Sequence, residues 1–298
     1  WDEHGERERK ADALIRPALA EQMKALAASV SADGMRVVVF NPLPWERDDV
    51  VTVEMSDTMP AALKDLAVGD VIPVEADGSA VRFVARRVPP LGYRTYVPAE
   101  KSDPQPPHLI ADEKAGVLEN NALRVRLDAA NGVISSLFDK AAQREWAGRT
   151  DDIRFGQYIH QRFDADDVQR FLKQYADCSL AWVYGDFGKK DLPPAAKVRR
   201  SMASPKGYSL TMRSGPLSAT ATMSASPTEA VPHDVSLSVT LYRDLPYVNL
   251  EWAIRNKPGT PWPEAGWLAL PIAVEQPKFL LGRMGVFVDP ATQVQRAT

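Results

Sequence analysis

The sequence predicts a mainly β protein, in which a short N-terminal helical segment is followed by a small β-sandwich and then by a large antiparallel β-sandwich. Two observations support this fold class. Short runs of apolar and β-branched residues recur along most of the 298-residue chain, and clusters of proline, glycine and aspartate separate them. Helical periodicity is confined to residues 1–34 and one later interruption. Long strands without crossover helices are typical of antiparallel sandwiches.

Residues 1–34 are predicted to form the helical segment. Apolar side chains recur there three or four residues apart and would share one face of a helix, namely Ile15, Leu19, Met23, Leu26 and Val30. Pro17 predicts a kink or a restart, and Gly34 predicts the end of the helix. A single helix has nothing to pack against, so we expect this segment to be the end of a helical bundle domain.

Residues 35–99 are predicted to form the small sandwich. Its strand candidates are, in order, RVVVFN, VVTVEM, VIPV, AVRFVARRV and GYRTYVP. The corner NPLPWERDD follows the first strand, and the Asn41 side chain can hydrogen-bond within this turn. We expect Trp45 to cover the sandwich edge and Arg47 to pair with a carboxylate or bond exposed carbonyls. The proline-rich stretch AEKSDPQPPH then predicts a linker.

Residues 100–298 are predicted to form the large sandwich, truncated at its C-terminus. Leu123, Val125 and Leu127 alternate with polar residues, which is typical of a half-buried antiparallel strand. Asn131-Gly132 predicts a hairpin turn. The one helical interruption lies near DADDVQRFLKQYA. Because the chain begins at Trp1 and ends just after an apolar segment, we expect it to be part of a longer protein.

Composition excludes several classes of function. The net charge is −3 with both signs interspersed, so the chain has no basic field for nucleic acid. No apolar run approaches the ~20 residues that span a bilayer, so we expect a soluble protein and no membrane partner. The single cysteine, Cys178, cannot form an internal disulfide, and we expect it to be a partly buried residue. The compartment stays open between cytoplasmic and periplasmic or secreted.

Signatures of familiar chemistry are mostly missing from the sequence. It contains no phosphate-binding glycine loop and no nucleophile elbow, and no two histidines have a metal-binding spacing. The densest polar and aromatic patch is FGQYIHQRFDADDVQRFLKQYADC, in which Tyr158, His160 and Arg162 are candidate sugar-binding residues. The alternative interpretation is a core strand followed by a charged surface helix, with Tyr158 simply buried.

The order of several motifs resembles one family. VVVFNPLPWERDDVVTV resembles the start of the β-rich C-terminal half of family-38 glycoside hydrolases, the α-mannosidases and their bacterial relatives. The later landmarks are LGYRTYVP, LENNALRVRLDAANGVISSLFDK, LYRDLPYVNLEWAIRN and LGRMGVFVDP, in the same order. The resemblance covers nearly the whole chain, and the LENN string is its most specific part.

The resemblance implies a fold, and it implies that catalysis takes place in a different domain. Family members are retaining glycosidases whose Asp nucleophile and zinc lie in an N-terminal barrel, so we expect no catalytic residue, metal ligand or cofactor in this chain. The C-terminal domain would be a mutarotase-like supersandwich that packs on this barrel. In some family members a tyrosine early in this domain reaches the substrate pocket, and Tyr158 matches it loosely, with His160 and Arg162 as neighbours. Arg283 is a weaker candidate for an arginine that the domain contributes later.

Three hypotheses of function remain at this point. The first is the non-catalytic C-terminal part of an α-mannosidase-like glycoside hydrolase, which braces the barrel and lines its sugar pocket. The second is a stand-alone carbohydrate-binding or protein-interaction sandwich without hydrolase activity. The third is a scaffold whose parent keeps the fold and has lost the nucleophile. They differ in what precedes this chain, and the sugar and linkage are not specified by any of these motifs.

Overall fold

The protein is mainly β, as the sequence predicts, in a computed structural model that describes residues 2–55, 59–100, 109–175, 199–260, 262–283 and 286–293. Every strand pair in the described ranges is antiparallel. The chain splits into two compact units, of which the first contains the elements up to residue 99 and the second those from residue 110 onward. None of the described helices combines the length and apolar character needed to cross a membrane.

The first unit contains one helix and seven strands. These are α1 (Asp2–Ser29), β1 (Val37–Phe40), β2 (Arg47–Glu54), β3 (Ala62–Asp65), β4 (Val71–Pro73), β5 (Glu75–Asp77), β6 (Ala80–Val88) and β7 (Tyr93–Ala99). The strands form two sheets, in the orders β1-β7-β3-β4 and β2-β6-β5. Side chains from both sheets share one core, in which the rings of Phe83 and Tyr96 meet edge to face with centroids 5.0 Å apart. This arrangement is the small sandwich that the sequence predicts.

The N-terminal helix α1 is continuous through Pro17, and none of its side chains is buried. Arg36 caps its C-terminal end. The guanidinium donates from Nε to the Ala27 carbonyl at 3.0 Å, and also reaches the carbonyls of Ala28 and Ala32. Ala27 and Ala28 lie in the last turn of the helix, where carbonyls lack a donor four residues on, and Ala32 lies in the segment that follows.

The NPLPW corner is held by Asn41, which is 3% exposed. Its Nδ2 donates to the carbonyls of Trp45, Val88 and Pro89, and its Oδ1 accepts the Leu43 main-chain N–H at 3.1 Å. The expected capping role of Asn41 is therefore present. Arg47 does pair with a carboxylate, that of Asp49. Trp45 instead is 57% exposed, so its expected role as a cover is not observed.

The second unit contains sixteen strands and two helices within the described residues. They are β8 (Ile110–Asp112), β9 (Val117–Glu119), β10 (Leu123–Asp128), β11 (Val133–Asp139), β12 (Arg144–Glu145), β13 (Arg149–Thr150), β14 (Ile153–Arg154), β15 (Gln157–Arg162), α2 (Ala165–Tyr175), β16 (Ser201–Ala203), β17 (Ser209–Ser214), β18 (Ser218–Ala225), β19 (Asp234–Tyr242), β20 (Val248–Arg255), β21 (Glu264–Ala269), β22 (Leu281–Arg283), β23 (Val286–Val288) and α3 (Pro290–Gln293). Helix α2 lies at the predicted interruption.

Two large sheets of this unit face each other. One has the order β12-β11-β10-β9-β8 and the other β17-β18-β19-β20. Alternating side chains of both sheets form a single core, for example Val125 and Leu127 with Ala221 and Val239. The pattern is that of an antiparallel sandwich. A third sheet, β16-β15-β21, carries the residues of the candidate site.

The LENN motif is a structural clamp within this unit. Asn120, which is 1% exposed, follows β9, and its Oδ1 accepts the main-chain N–H groups of Ala122 and Leu123 at 2.9 and 2.7 Å. Its Nδ2 donates to the carbonyls of Tyr242 and Leu245, at 2.7 and 3.1 Å, at the distant β19–β20 corner. One amide therefore joins two turns that are far apart in sequence.

Candidate functional site

The candidate site is built on β15, the central strand of the three-stranded sheet. Successive side chains of a strand point to opposite faces, so Tyr158, His160 and Arg162 share one face while Gln157 and Gln161 share the other. Tyr158 and His160 are 3% and 1% exposed, whereas Arg162 is half-buried at the end of the strand. The structure thus brings the three predicted residues onto one face but buries two of them.

Tyr158 is hydrogen-bonded to a histidine from another part of the unit. Its Oη lies 2.8 Å from Nε2 of His233, which is itself 1% exposed. Burial, together with the negative charge of Glu264, raises the pKa of the Tyr158 hydroxyl, so it stays protonated. Gly266, the ladder partner of His160, makes room for this ring, because a Cβ atom there would lie 2.9 Å from Tyr158 Oη.

His160 is held at both ring nitrogens. Nδ1 lies 3.0 Å from the Ala230 carbonyl, which can only accept, so this nitrogen carries a proton. Nε2 lies 3.1 Å from Glu264 Oε2. The ring is also 5.1 Å from that of His233, in an edge-to-face arrangement. These contacts leave neither nitrogen of His160 available for a ligand.

Glu264 begins β21 and closes the polar cluster. One carboxylate oxygen pairs with His160 and the other with Lys257. Burial alone would raise the pKa of this carboxyl, but the hydrogen bonds from Lys257 and His160 outweigh it and the pKa is lowered. Glu264 is also the ladder partner of Arg162. The carboxylate is therefore ionised and fully engaged near neutral pH.

His233 is the one member of the cluster with an unsatisfied atom. Its Nδ1 is buried and has no hydrogen-bond partner among the described residues. Burial lowers the pKa of His233, and the charges of His160 and Lys257 lower it further. The ring is therefore neutral, with Nε2 bonded to Tyr158.

The opposite face of the same sheet is exposed along its two outer strands, whereas Ile159 and Gln161 on the central strand β15 are only 5% and 9% exposed. Trp267, the ladder partner of Ile159, is 52% exposed, and its indole N–H donates to Gln161 Oε1 at 2.8 Å. Met202, on the neighbouring strand β16, is 60% exposed. Gln157 donates from Nε2 to Ser204 Oγ at 2.9 Å. A half-exposed indole held by a hydrogen bond offers a flat apolar face on which a hydroxylated ring can stack its C–H groups.

Sequence reasoning missed His233, Lys257, Glu264 and Trp267. No local signal marks them, because tertiary packing brings them together from distant parts of the chain. His233 lies 75 positions from Tyr158, Glu264 lies 104 positions from His160, and Trp267 lies 106 positions from Gln161. Two other residues are not tested: Cys178 lies outside the described residues, and so does the side chain of Arg283. Among the described residues, no three His, Cys, Asp or Glu side chains are grouped as they would be around a metal ion.

Comparisons with known proteins place the chain in one family. No curated protein matches it. A solved structure, of a protein in the Glycosyl Hydrolase Family 38 from Enterococcus faecalis, is similar with a TM-score of 0.44 and 12% sequence identity. That match covers 74% of this chain but only 31% of the other, so this chain spans about a third of that protein. A family model, described as a domain of unknown function (DUF5054), matches residues 99–248, half of the chain. The chain therefore belongs to the DUF5054 family.

Proposed function

We propose that this chain is the non-catalytic β-rich part of a glycoside hydrolase of the α-mannosidase type, and that it contributes a sugar-contacting surface. The observation that carries the proposal is the half-exposed indole of Trp267 on the outer strand β21, which the buried amide of Gln161 holds in one orientation. Aromatic rings stack on the C–H faces of sugars, and neighbouring amides bond their hydroxyls. The motif similarity to family-38 enzymes described above supports the same class.

The buried cluster behind this face acts in positioning. The His160–Glu264 bond ties β15 to β21, the two strands that carry Gln161 and Trp267, and the Tyr158–His233 bond ties β15 to the segment that precedes β19. A rigid pair of strands keeps the indole and the amide in one geometry, which lowers the entropy that a ligand must overcome on binding. Tyr158 and His160 thus support the sugar surface from behind, and half-buried Arg162 lies with them on the same face of β15.

A second part of the proposal concerns packing against a catalytic barrel. The segment that follows Trp267 exposes a series of large apolar side chains, including Leu268, Leu270, Ile272, Phe279 and Phe287, at 46% to 77%. Exposed apolar surface of this kind is typical of an interface. The proposed occupant is the N-terminal barrel of the same polypeptide, which would bring the nucleophile to the sugar.

The zinc of family-38 enzymes does not fit the described residues of this chain. Both nitrogens of His160 and both oxygens of Glu264 already have partners, and the described residues form no three-ligand group. The proposal therefore assigns zinc to the barrel and gives no residue here a metal-binding role.

Sugar titration of the chain tests the proposal. We expect methyl α-D-mannopyranoside to shift the Trp267 indole N–H signal in a proton–nitrogen NMR spectrum, with a millimolar dissociation constant. Trp267→Ala should abolish the saturable binding that is reported by neighbouring main-chain amides of β15. Trp45→Ala is the matched control, because Trp45 is equally exposed but lies in the first unit. Unchanged spectra at saturating sugar, or equal affinity in the Trp267→Ala variant, would overturn the proposal.

The stand-alone module is the alternative, and it shares the sugar-contacting face. In this alternative, the exposed apolar segment would bind a separate protein, or no protein, instead of a barrel of the same polypeptide. Co-expression of this chain with the barrel encoded upstream distinguishes the two proposals. If the apolar segment packs on the barrel, the double variant Phe279→Asp and Phe287→Asp should no longer co-purify with it. Co-purification of the double variant with the barrel would refute the packing proposal.

A further inference from the structure

The first unit contains a cavity that the proposed function does not use. It has a volume of about 190 Å³ and lies entirely within this unit, and three aspartates and three arginines line it. At ~30 Å³ for each water molecule, this volume holds about six waters. That is the scale of one sugar ring, and is too small for a nucleotide or an oligosaccharide.

A buried hydroxyl without a partner lines this cavity. Tyr96 is 1% exposed, and its Oη has no partner at hydrogen-bonding geometry among the described residues, although the Arg86 main-chain N–H lies near it. Buried polar atoms are almost always paired, because an unpaired one carries a desolvation cost. A ligand hydroxyl in the cavity would give Tyr96 the partner that it lacks.

The charges around the cavity are already balanced against each other. Arg94 Nη1 lies 3.9 Å from Asp65 Oδ1, and Arg94 Nε donates to the Arg87 carbonyl at 3.1 Å. Asp65 Oδ1 also accepts the Ala67 main-chain N–H at 2.8 Å, and Asp48 Oδ1 accepts that of Arg87 at 2.6 Å. The polar wall is thus held in place by the fold before any ligand arrives.

This balance decides the kind of ligand. An anion bound at Arg94 would lie beside the buried carboxylate of Asp65 and be repelled by it. A cation at Asp65 would meet Arg94 in the same way. A neutral ligand with several hydroxyls can donate to the aspartates and accept from the arginines without either repulsion. Val68 and Ile72 add an apolar wall against which C–H groups can pack.

From these observations we infer that the first unit binds one neutral, hydroxyl-rich molecule of the size of a single sugar ring, between Asp65, Arg94 and Tyr96. This site is separate from the Trp267 face and does not depend on it.

NMR titration of the full 298-residue chain tests this inference. The probes are D-mannose, D-glucose and myo-inositol, with the cation ethylammonium and the anion inorganic phosphate as charged comparisons. The reporters are the main-chain amides of Ala67 and Gly69, which bond to Asp65. We expect at least one neutral probe to shift them saturably, while ethylammonium and phosphate do not.

Two variants and two controls make the result decisive. Tyr96→Phe should weaken binding about five-fold, the effect of one ordinary hydrogen bond. Val68→Trp should block the cavity without loss of folding, because Val68 is 45% exposed. Tyr93→Phe, on the same strand but outside the cavity lining, and Trp267→Ala should bind as the parent chain does. The inference is wrong if no neutral probe binds, if only a charged probe binds, or if both cavity variants keep full affinity.

Discussion

Replacing Asn120 by alanine tests the clamp that the LENN motif forms. This side chain makes four hydrogen bonds, two within its own turn and two to the carbonyls of Tyr242 and Leu245. Alanine removes all four and leaves a space that is too enclosed for easy hydration, since Asn120 is 1% exposed.

The magnitude follows from the groups that lose their partners. Leaving a buried donor or acceptor unsatisfied costs about 1–3 kcal/mol. The Leu245 carbonyl is bonded in a buried setting, and the Tyr242 carbonyl in a part-buried one. Counting the buried carbonyl fully and the other in part, we expect Asn120→Ala to lower the free energy of unfolding by about 3–4 kcal/mol.

Urea unfolding of the second unit, followed by tryptophan fluorescence, measures this loss. Asn121→Ala is the control, because the neighbouring Asn121 makes only an exposed bond to Asp244, at 3.3 Å. It should change stability by no more than about 0.5 kcal/mol. A loss below about 1 kcal/mol for Asn120→Ala, or one equal to that of the control, would refute the clamp.

Two further predictions concern the buried cluster. Tyr158→Phe leaves His233 Nε2 without its partner, and we expect it to lower the free energy of unfolding by about 1–3 kcal/mol, measured from the urea midpoint. Tyr93→Phe is the control, because Tyr93 is exposed and its hydroxyl should contribute little. Equal midpoints for the two variants would show that the Tyr158 hydroxyl does not stabilise the fold. Acid should destabilise the second unit in two steps, because the pKa values of His233 and Glu264 are both lowered in the folded state and the unfolded chain therefore binds more protons. The stabilisation that neutral His233 gives to the folded state is complete above pH 6.5, the ordinary pKa of histidine, and is lost as the pH falls below it. The stabilisation that ionised Glu264 gives is lost in the same way below pH 4.5, the ordinary pKa of glutamate. His233→Gln should remove the first step in urea midpoints measured across pH, and an unchanged first step would contradict this assignment.

Much of the fold follows from local sequence signals. Alternation in LRVRLD and the Asn131-Gly132 turn predict the β10–β11 hairpin, and Gly132 has a positive φ of 65° there. Strands β3 and β5 escaped prediction because ALKD and EAD are short and half charged, without an apolar alternation. They form because longer neighbours supply their hydrogen-bond partners.

The candidate site was only partly accessible from the sequence. Strand periodicity places Tyr158 and His160 on one face, as β15 shows. It does not indicate which strands flank them, since register is set by the packing of the whole unit. His233, Glu264 and Trp267 arrive through that register, and the exposure of Trp45 likewise reflects tertiary context that a corner motif does not encode.

Hydrolysis of an aryl α-mannoside by the purified chain, with and without added zinc, tests the central claim most directly. If the chain provides a sugar-contacting and packing surface without a nucleophile, the release of the aryl group should equal that of buffer under both conditions. Release above the buffer rate that is abolished by a substitution within this chain would show that the catalytic residues lie here, and would contradict the account.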